Sequence, residues 1–289
     1  MDRTERLYRM AEALLGRAFL WRLGRLLYMG ARRELRNEPE TNGEYALQQW
    51  FLKTAEPNAP LTICDVGANV GNWTEQMRAA LRLADHQTFV IRAFEPADAQ
   101  FNQCRVRFAG DMASGKICLD ARGVGAETGT VRFQVTGSDT GNSAIVSGCN
   151  SANGAGIVEI PVVALDDLAA ECGYARLDLV KVDTEGNDFN VIKGARHLFE
   201  AGAIGILQFE YNWRWVAFGH TLYDVYGFLE GTPYRIGKLT ADGIEFYARW
   251  HQELERFFET NYVIARADLA GRLPHQSLVF DGGNTPVPA

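Results

Sequence analysis

Asp65-Val66-Gly67-Ala68-Asn69-Val70-Gly71 follows the apolar run Leu61 to Val66 and precedes a helical pattern from about Asn72 to Leu83. A strand feeding a helix through such a turn opens a βαβ unit, and glycines there let the backbone bend sharply and approach a ligand. Asn69 stands mid-turn, where asparagine tolerates left-handed geometry better than most residues. Outward from this stretch, Thr88 to Phe94 reads as a second strand, followed by a helix through Phe101 and Val106. Ile117 to Ala121 is a third strand, Leu177 to Val182 a fourth with a helix Phe189 to Phe199 after it, and Ile204 to Phe209 a fifth. Strands alternating with helices predict right-handed crossovers and a doubly wound, mostly parallel sheet. Its strands are nearly continuous in apolar residues because helices cover both faces.

Two regions break this rhythm. Val131 to Val135 and Ile157 to Val163 read as a β-excursion, and the Gly/Ser/Asn-rich stretch Gly137 to Gly156 between them reads as a lid. Tyr234 to Leu239, Ile244 to Ala248 and Tyr262 to Ala265 read as antiparallel additions at one sheet edge. Pro274, Pro286, Pro288 and Gly282-Gly283 predict a frayed end. The expected organisation is an N-terminal helical arm over 1–56, a ligand-binding domain over 57–270 and a C-terminal tail over 271–289.

A chain of 289 residues with net charge −7 can bury a full core and lacks the basic excess a general nucleic-acid binder needs. Cys64, Cys104, Cys118, Cys149 and Cys172 are scattered without C-x-x-C spacing. They imply reduced thiols and a cytoplasmic setting rather than a zinc site or disulfide framework. Arg17, Arg22 and Arg25 interrupt the N-terminal apolar stretches, which excludes a signal peptide or membrane span there. Residues 1–37 carry nine arginines and four acidic residues. Two helical stripes, Leu7/Met10/Ala11/Leu14 and Leu15/Phe19/Leu23/Leu26, read first as a packing or homo-oligomer-forming helix pair. Peripheral contact with an anionic membrane is the sharper alternative.

The second strand ends at Glu95, followed by Pro96. An acidic residue at that place can accept hydrogen bonds from a ribose diol, which nucleotide and nucleoside cofactors share. Three features separate the cases. The glycine spacing is G-x-x-x-G rather than G-x-G-x-x-G; no Lys or Arg cluster awaits a pyrophosphate; and Asp65 stands where it would attract an ammonium group, such as the amino-acid end of S-adenosylmethionine.

With these segments in view, the chain resembles the FkbM-type family of class I, Rossmann-like methyltransferases. The resemblance rests on D-V-G-A-N-V-G from Asp65, A-F-E-P from Ala93, G-V-G-A-E-T-G-T-V from Gly123, A-L-D-D-L from Ala164, K-V-D-T-E-G from Lys181 and Q-F-E-Y-N from Gln208. It implies S-adenosylmethionine as methyl donor, S-adenosylhomocysteine as product, and a hydroxyl on a small molecule, glycan or glycolipid as acceptor. It implies further that Asp65, Gly67, Ala68, Asn69 and Gly71 line the methionine end, that Glu95 with Pro96 holds the ribose, and that Arg122 and Gly123 flank the adenine. Ser143 is similar to a serine that the family places near the cofactor.

Lys181-Val182-Asp183-Thr184-Glu185-Gly186 closes the fourth strand, and alternation puts Lys181 and Asp183 on one side. Asp183 is expected at the sheet's carboxyl edge, where it would anchor the methionine amine, orient the acceptor or accept its proton. Glu185 and Glu210 would supply like-charge pressure that raises carboxyl pKa values. A divalent cation such as Mg²⁺ on Asp183, Glu185 and Glu210 is an alternative that no spacing demands. His220 is a second candidate base, and Tyr211, Trp213 and Trp215 are candidate pocket-mouth aromatics. The competing functions are N- or carboxyl-methyl transfer on the same fold, an NAD(P)-dependent oxidoreductase, and a non-catalytic cofactor-binding module.

Overall fold

The computed structural model describes residues 2–35, 37–56, 59–135, 143–146 and 156–289. Along the chain run α1 (Arg3–Leu15), α2 (Arg17–Ala31), α3 (Glu44–Thr54), β1 (Leu61–Val66), α4 (Asn72–Leu83), β2 (Phe89–Phe94), α5 (Asp98–Arg107), α6 (Ala109–Ala113) and β3 (Ile117–Asp120). The excursion follows as β4 (Gly123–Val124), β5 (Gly129–Val135), β6 (Ala144–Ile145) and β7 (Gly156–Val163). Then come α7 (Leu165–Cys172), β8 (Leu177–Val182), α8 (Asp188–Lys193), α9 (Arg196–Glu200), β9 (Ile204–Tyr211) and α10 (Leu222–Phe228). The last stretch holds β10 (Tyr234–Thr240), β11 (Gly243–Tyr247), β12 (Thr260–Arg266), α11 (Ala267–Ala270), β13 (His275–Phe280) and β14 (Pro286–Pro288).

The main sheet has the order β14-β13-β11-β10-β12-β9-β8-β1-β2-β3. β3, β2, β1, β8 and β9 are parallel neighbours, while β12 pairs antiparallel with β9, and β10 antiparallel with β12. Alternation along the strands divides the core in two. Cys64, Val66, Val180 and Val182 face α7, α8 and α9 through Leu165, Leu168, Val191 and Phe199. Ile63, Ile91, Leu179 and Ile206 face α3 and α4 through Leu47, Phe51, Trp73, Met77 and Leu81. Helical cover on both faces makes the sheet doubly wound. The direction of strand progression reverses between β1 and β8, and ligands collect at the carboxyl ends of strands at such a switch point. A second sheet, β4-β7-β5-β6, stands beside that edge. Most of the expected lid, 137–142 and 147–155, lies outside the described residues.

Three expectations change. The arm does not extend to residue 56: α3 buries Leu47 and Phe51 in the main core, whereas α1 and α2 bury no residue. The tail does not fray but adds two edge strands, β13 parallel to β11 and β14 antiparallel to β13. Asp281 Oδ1 accepts from Gly283 N and Thr285 N, which tightens the turn between them. Thr285 O and Ala289 N bond to β13, so Pro286 and Pro288 alternate with them toward the open edge, where a missing N–H removes no ladder bond. The helix expected over Phe189 to Phe199 is broken at Gly194, where a Cβ would stand 2.1 Å from Gly125 O. Asp166 caps the second piece by accepting from His197 N and Leu198 N.

Candidate active site

The turn after β1 takes left-handed geometry at Gly67, Asn69 and Gly71, with φ of 82°, 50° and 82°. Gly67 N and Ala68 N donate to Phe94 O, tying the loop to the end of β2. A Cβ on Gly67 would stand 1.9 Å from Asp183 O, so only glycine lets the loop pass this close to the end of β8. Glu95 is held at both oxygens: Oε2 accepts from Asn69 N and Oε1 from Ala97 N, each at 2.8 Å. A carboxylate has about four acceptor sites, so each oxygen keeps a free lone pair. Burial pushes the Glu95 carboxyl above its ordinary value, against the pull of those two amides.

Around this turn opens a cleft of about 710 Å³, part of it continuous with solvent. Gly67, Asn69, Glu95 and Pro96 form one wall, Asp183, Thr184 and Glu185 another. Gly123, Val124, Ser143 and the side chains of Phe133, Ile145 and Ile160 contribute the third, from the excursion sheet.

Beneath the loop lies a paired layer. Asp65 and Lys181 are partners in the β1–β8 register. Lys181 Nζ lies 3.6 Å from Asp65 Oδ1 and 3.3 Å from Asp183 Oδ2, and donates to Gly67 O at 3.3 Å. Burial opposes its charge, but Asp183, Asp65 and Glu44 outweigh burial and hold its pKa above the ordinary range. Asp65 Oδ2 also accepts from Thr74 Oγ1 at 2.6 Å. Glu44 Oε1 accepts from Asn42 Nδ2 and Asn261 Nδ2, and Gln208 Nε2 donates to Asn261 Oδ1.

At the cleft the balance is different. Glu185 has φ 57°, a conformation rare outside glycine, and its carboxylate stands 3.0 Å from Arg214 Nε. Burial, with Asp183 adding its charge, pushes Glu185 up to about 7. Asp188 is pushed up to about 7 by burial and then by Asp183, although its Oδ2 accepts from Gly186 N. Glu210 is raised well above the carboxylate range by burial and the charges of Asp183 and Glu259. Among the described residues no group of three or more His, Cys, Asp and Glu side chains converges to hold a metal, so the cation alternative finds no ligand set there.

The structure thus brings Gly67, Asn69, Glu95, Pro96, Gly123, Ser143, Asp183 and Glu185 to one cleft and places six other expected residues elsewhere. Asp65 is fully buried, and the ammonium it meets is that of Lys181. Ala68 is buried under the loop, and Gly71 packs on α5 and α6, where a Cβ would stand 2.5 Å from Phe108. Arg122 turns away because Asp120, two residues earlier, accepts from its Nε and Nη2, and Glu171 accepts from Nη1. Glu210 lies behind the cleft wall with its oxygens engaged by Asn37 Nδ2 and Asn212 Nδ2. His220 packs on Phe189, with Nε2 3.2 Å from Asn190 Oδ1, and burial lowers its pKa. Tyr211 and Trp215 belong to the core, whereas Trp213 is 61% exposed.

Sequence reading passed over Asn37, Asn42, Glu44, Asn261 and the cleft residue Thr184. Lys181 within a mostly apolar, fully buried strand was the available signal, since an amine at such a position needs carboxylate partners.

A family model described as the methyltransferase FkbM domain matches residues 65–255. No curated protein matches significantly. Among solved structures, methyltransferase FkbM from Methylobacillus flagellatus KT is similar over 73% of this chain at 18% identity, with a TM-score of 0.45. This chain spans 45% of that protein's length. A putative rRNA-methylase from Clostridium thermocellum is similar over 78% of this chain and 97% of its own at 9% identity, TM-score 0.43. The N-terminal domain of human METTL16 in complex with SAH is similar over 80% of this chain and 71% of its own at 11% identity, TM-score 0.44.

Proposed function

The chain belongs to the FkbM methyltransferase family, S-adenosylmethionine-dependent enzymes of the class I fold, and we propose that it transfers the methyl group to a hydroxyl of a sugar, glycolipid or other natural product. Family membership displaces the oxidoreductase alternative. The observation that carries the hydroxyl reading is the position of Glu95 and of the Asp183–Glu185 acid pair, on either side of β1 in one cleft.

Three features of this cleft suit the donor. Glu95, anchored through Asn69 N and Ala97 N, retains lone pairs for a ribose diol. Gly123, Phe133, Ile145 and Ile160 offer a mostly apolar wall to a flat base. Thr184 Oγ1 is buried in the cleft wall without a hydrogen-bond partner, an acceptor and donor left over for a ligand. When bound, S-adenosylmethionine supplies an electrophilic methyl group on a sulfonium.

The protein's own residues then divide the work on the acceptor. Asp183, with the Lys181 ammonium 3.3 Å from its Oδ2, can accept a hydrogen bond and orient a hydroxyl. Glu185, with a pKa of about 7, is matched to taking the proton near neutrality. A carboxylate acceptor would meet the carboxyl groups of Asp183 and Glu185 in the cleft, which disfavours carboxyl methylation.

The test pairs calorimetry with S-adenosylmethionine, S-adenosylhomocysteine and NAD to a labelled-methyl assay on hydroxyl, amine and carboxylate acceptors. Binding of the first two ligands with label on a hydroxyl is expected. Label appearing only on amines would replace the hydroxyl reading with an N-methyltransferase.

A further inference from the structure

The helical arm is the part of the molecule that the cleft leaves unexplained. Neither α1 nor α2 buries a residue, yet together they display Leu7, Met10, Leu14, Phe19, Trp21 and Leu27 to solvent. Leu14 is 82% exposed and Trp21 68%, values that leave these side chains almost entirely in water. The arm is nevertheless fixed at its root. Tyr28 donates to Glu253 Oε2 at 2.8 Å, its ring meets Phe258 edge-on, and the Arg25 guanidinium lies 5.6 Å from the Phe258 ring centre. A rooted helix pair with an uncovered apolar surface of this extent calls for a partner.

Charge selects the partner. Residues 1–37 hold nine arginines against four acidic residues, leaving the rest of the chain with 20 basic and 32 acidic residues. Arg9 pairs with Glu5, and Arg32 and Arg33 pair at the root with Glu34, Asp242 and Glu245. Among the described residues, Arg3, Arg6, Arg17, Arg22 and Arg25 have no carboxylate partner. Opposed arms of two copies would bring these cations together, which disfavours self-association through the arm. A nucleic acid would neutralise the arginines but leave the leucines and the indole in water. We propose that α1 and α2 form a docking surface for an anionic lipid bilayer, lying in the plane of the interface.

Short amphipathic helices bury an apolar face at the headgroup–acyl boundary while arginine stems reach back to the phosphates. Trp21 and Tyr8 are of the type that settles at that level. No helix among the described residues is long and apolar enough to cross a membrane. The acidic remainder of the chain is repelled by the same surface, so the charge asymmetry also orients the molecule with its arm toward the bilayer. This inference stands apart from the methyl-transfer reading and is tested without an activity assay.

The full chain is floated with vesicles of pure phosphatidylcholine and with a two-to-one mixture of phosphatidylcholine and phosphatidylglycerol. Binding to the mixture at least about tenfold tighter, weakening as salt is raised, is expected. Arg6→Gln/Arg17→Gln/Arg22→Gln and, separately, Phe19→Ser/Leu27→Ser should each weaken it about tenfold or more. Circular dichroism should be unchanged, since none of these residues is buried. Trp21 emission should shift to the blue with the anionic vesicles, and Trp21→Phe should remove that change. Equal affinity for both vesicle types, or none for either, overturns the proposal. So does a concentration-dependent dimer in sedimentation equilibrium that Phe19→Ser/Leu27→Ser abolishes.

Discussion

On the α3 side of β1, Asp65, Glu44 and Lys181 form a buried set in which an ammonium lies among carboxylates and Asn42 and Asn261 donate to Glu44. At the carboxyl ends of β8 and β9, Asp183, Glu185, Asp188 and Glu210 crowd together, with Arg214 against Glu185 and the shared Lys181 against Asp183. The first group is buried around a lysine; the second concentrates carboxyl groups, three of them raised in pKa, beside a solvent-connected cleft. A folded chain gains no stability from the second arrangement, because burial and mutual repulsion both disfavour its ionised form. Carboxyl groups held at this cost beside a cleft mark a candidate functional site, and the lysine-centred layer lies beneath it.

The contrast can be broken first at the cleft. If Glu185 accepts the proton, Glu185→Gln should lower kcat by roughly 10²- to 10⁴-fold and remove a rise in rate with pH through about 7, the value to which burial lifts this carboxyl. Asp183→Asn should slow turnover while keeping that pH step, and both should leave S-adenosylhomocysteine affinity nearly unchanged. A full-rate Glu185→Gln variant in a pH-rate series would remove Glu185 from the chemistry.

Lys181→Met attacks the paired layer. It leaves Asp65 buried without its cation, and losing one partner of a buried pair costs about 3–5 kcal/mol, measured by urea denaturation. Lys181→Met/Asp65→Asn should recover part of that loss. No recovery would mean that the pair is not coupled.

A smaller effect follows from proton linkage. Asp188 and Glu185 ionise near 7 in the folded chain, above their unfolded values, so the native state holds extra protons between about pH 4 and 7. Stability of the ligand-free protein should therefore fall as pH rises through 7, by about 2 kcal/mol for each of the two carboxyls from pH 5.5 to 8. His220, lowered by burial, pulls weakly the other way. Asp188→Asn should flatten the dependence in thermal melts, and an unaltered slope would count against Asp188 as its source. Smallest of all, Glu210→Gln should reduce kcat less than about tenfold, because Asn37 and Asn212 already occupy its oxygens. A loss as large as that of Glu185→Gln would move Glu210 into direct contact with the acceptor.

Much of this was legible locally. The limits of β1, α4 and β8 follow from apolar runs bounded by glycine or by a change of period, and φ 50° at Asn69 agrees with its place in the turn. Glu95 and Asp183 could be placed at the cleft from sequence because the residue ending a parallel strand reaches the sheet's carboxyl edge whatever the loops do. Arg122 was misplaced since its charge suggested a ligand contact while Asp120 captured it; His220 was misplaced since nothing local reveals that Phe189 and Asn190 receive it. The C-terminal prolines suggested fraying because strand propensity counts against them, and only the parity of the β13–β14 pairing shows that they face the open edge.

By itself the order of residues determined the alternating strands and helices, the glycine turn and the acidic strand ends, since each depends on neighbours within a few positions. Tertiary structure alone decided which carboxylates meet a cation and which meet one another. Asp65 and Lys181 meet only through the register of β1 with β8, and Asn37 reaches Glu210 only because the chain between α2 and α3 crosses the end of β9. The energy of a charge depends on what lies within a few ångströms in space, and for these residues that is chain more than a hundred positions away.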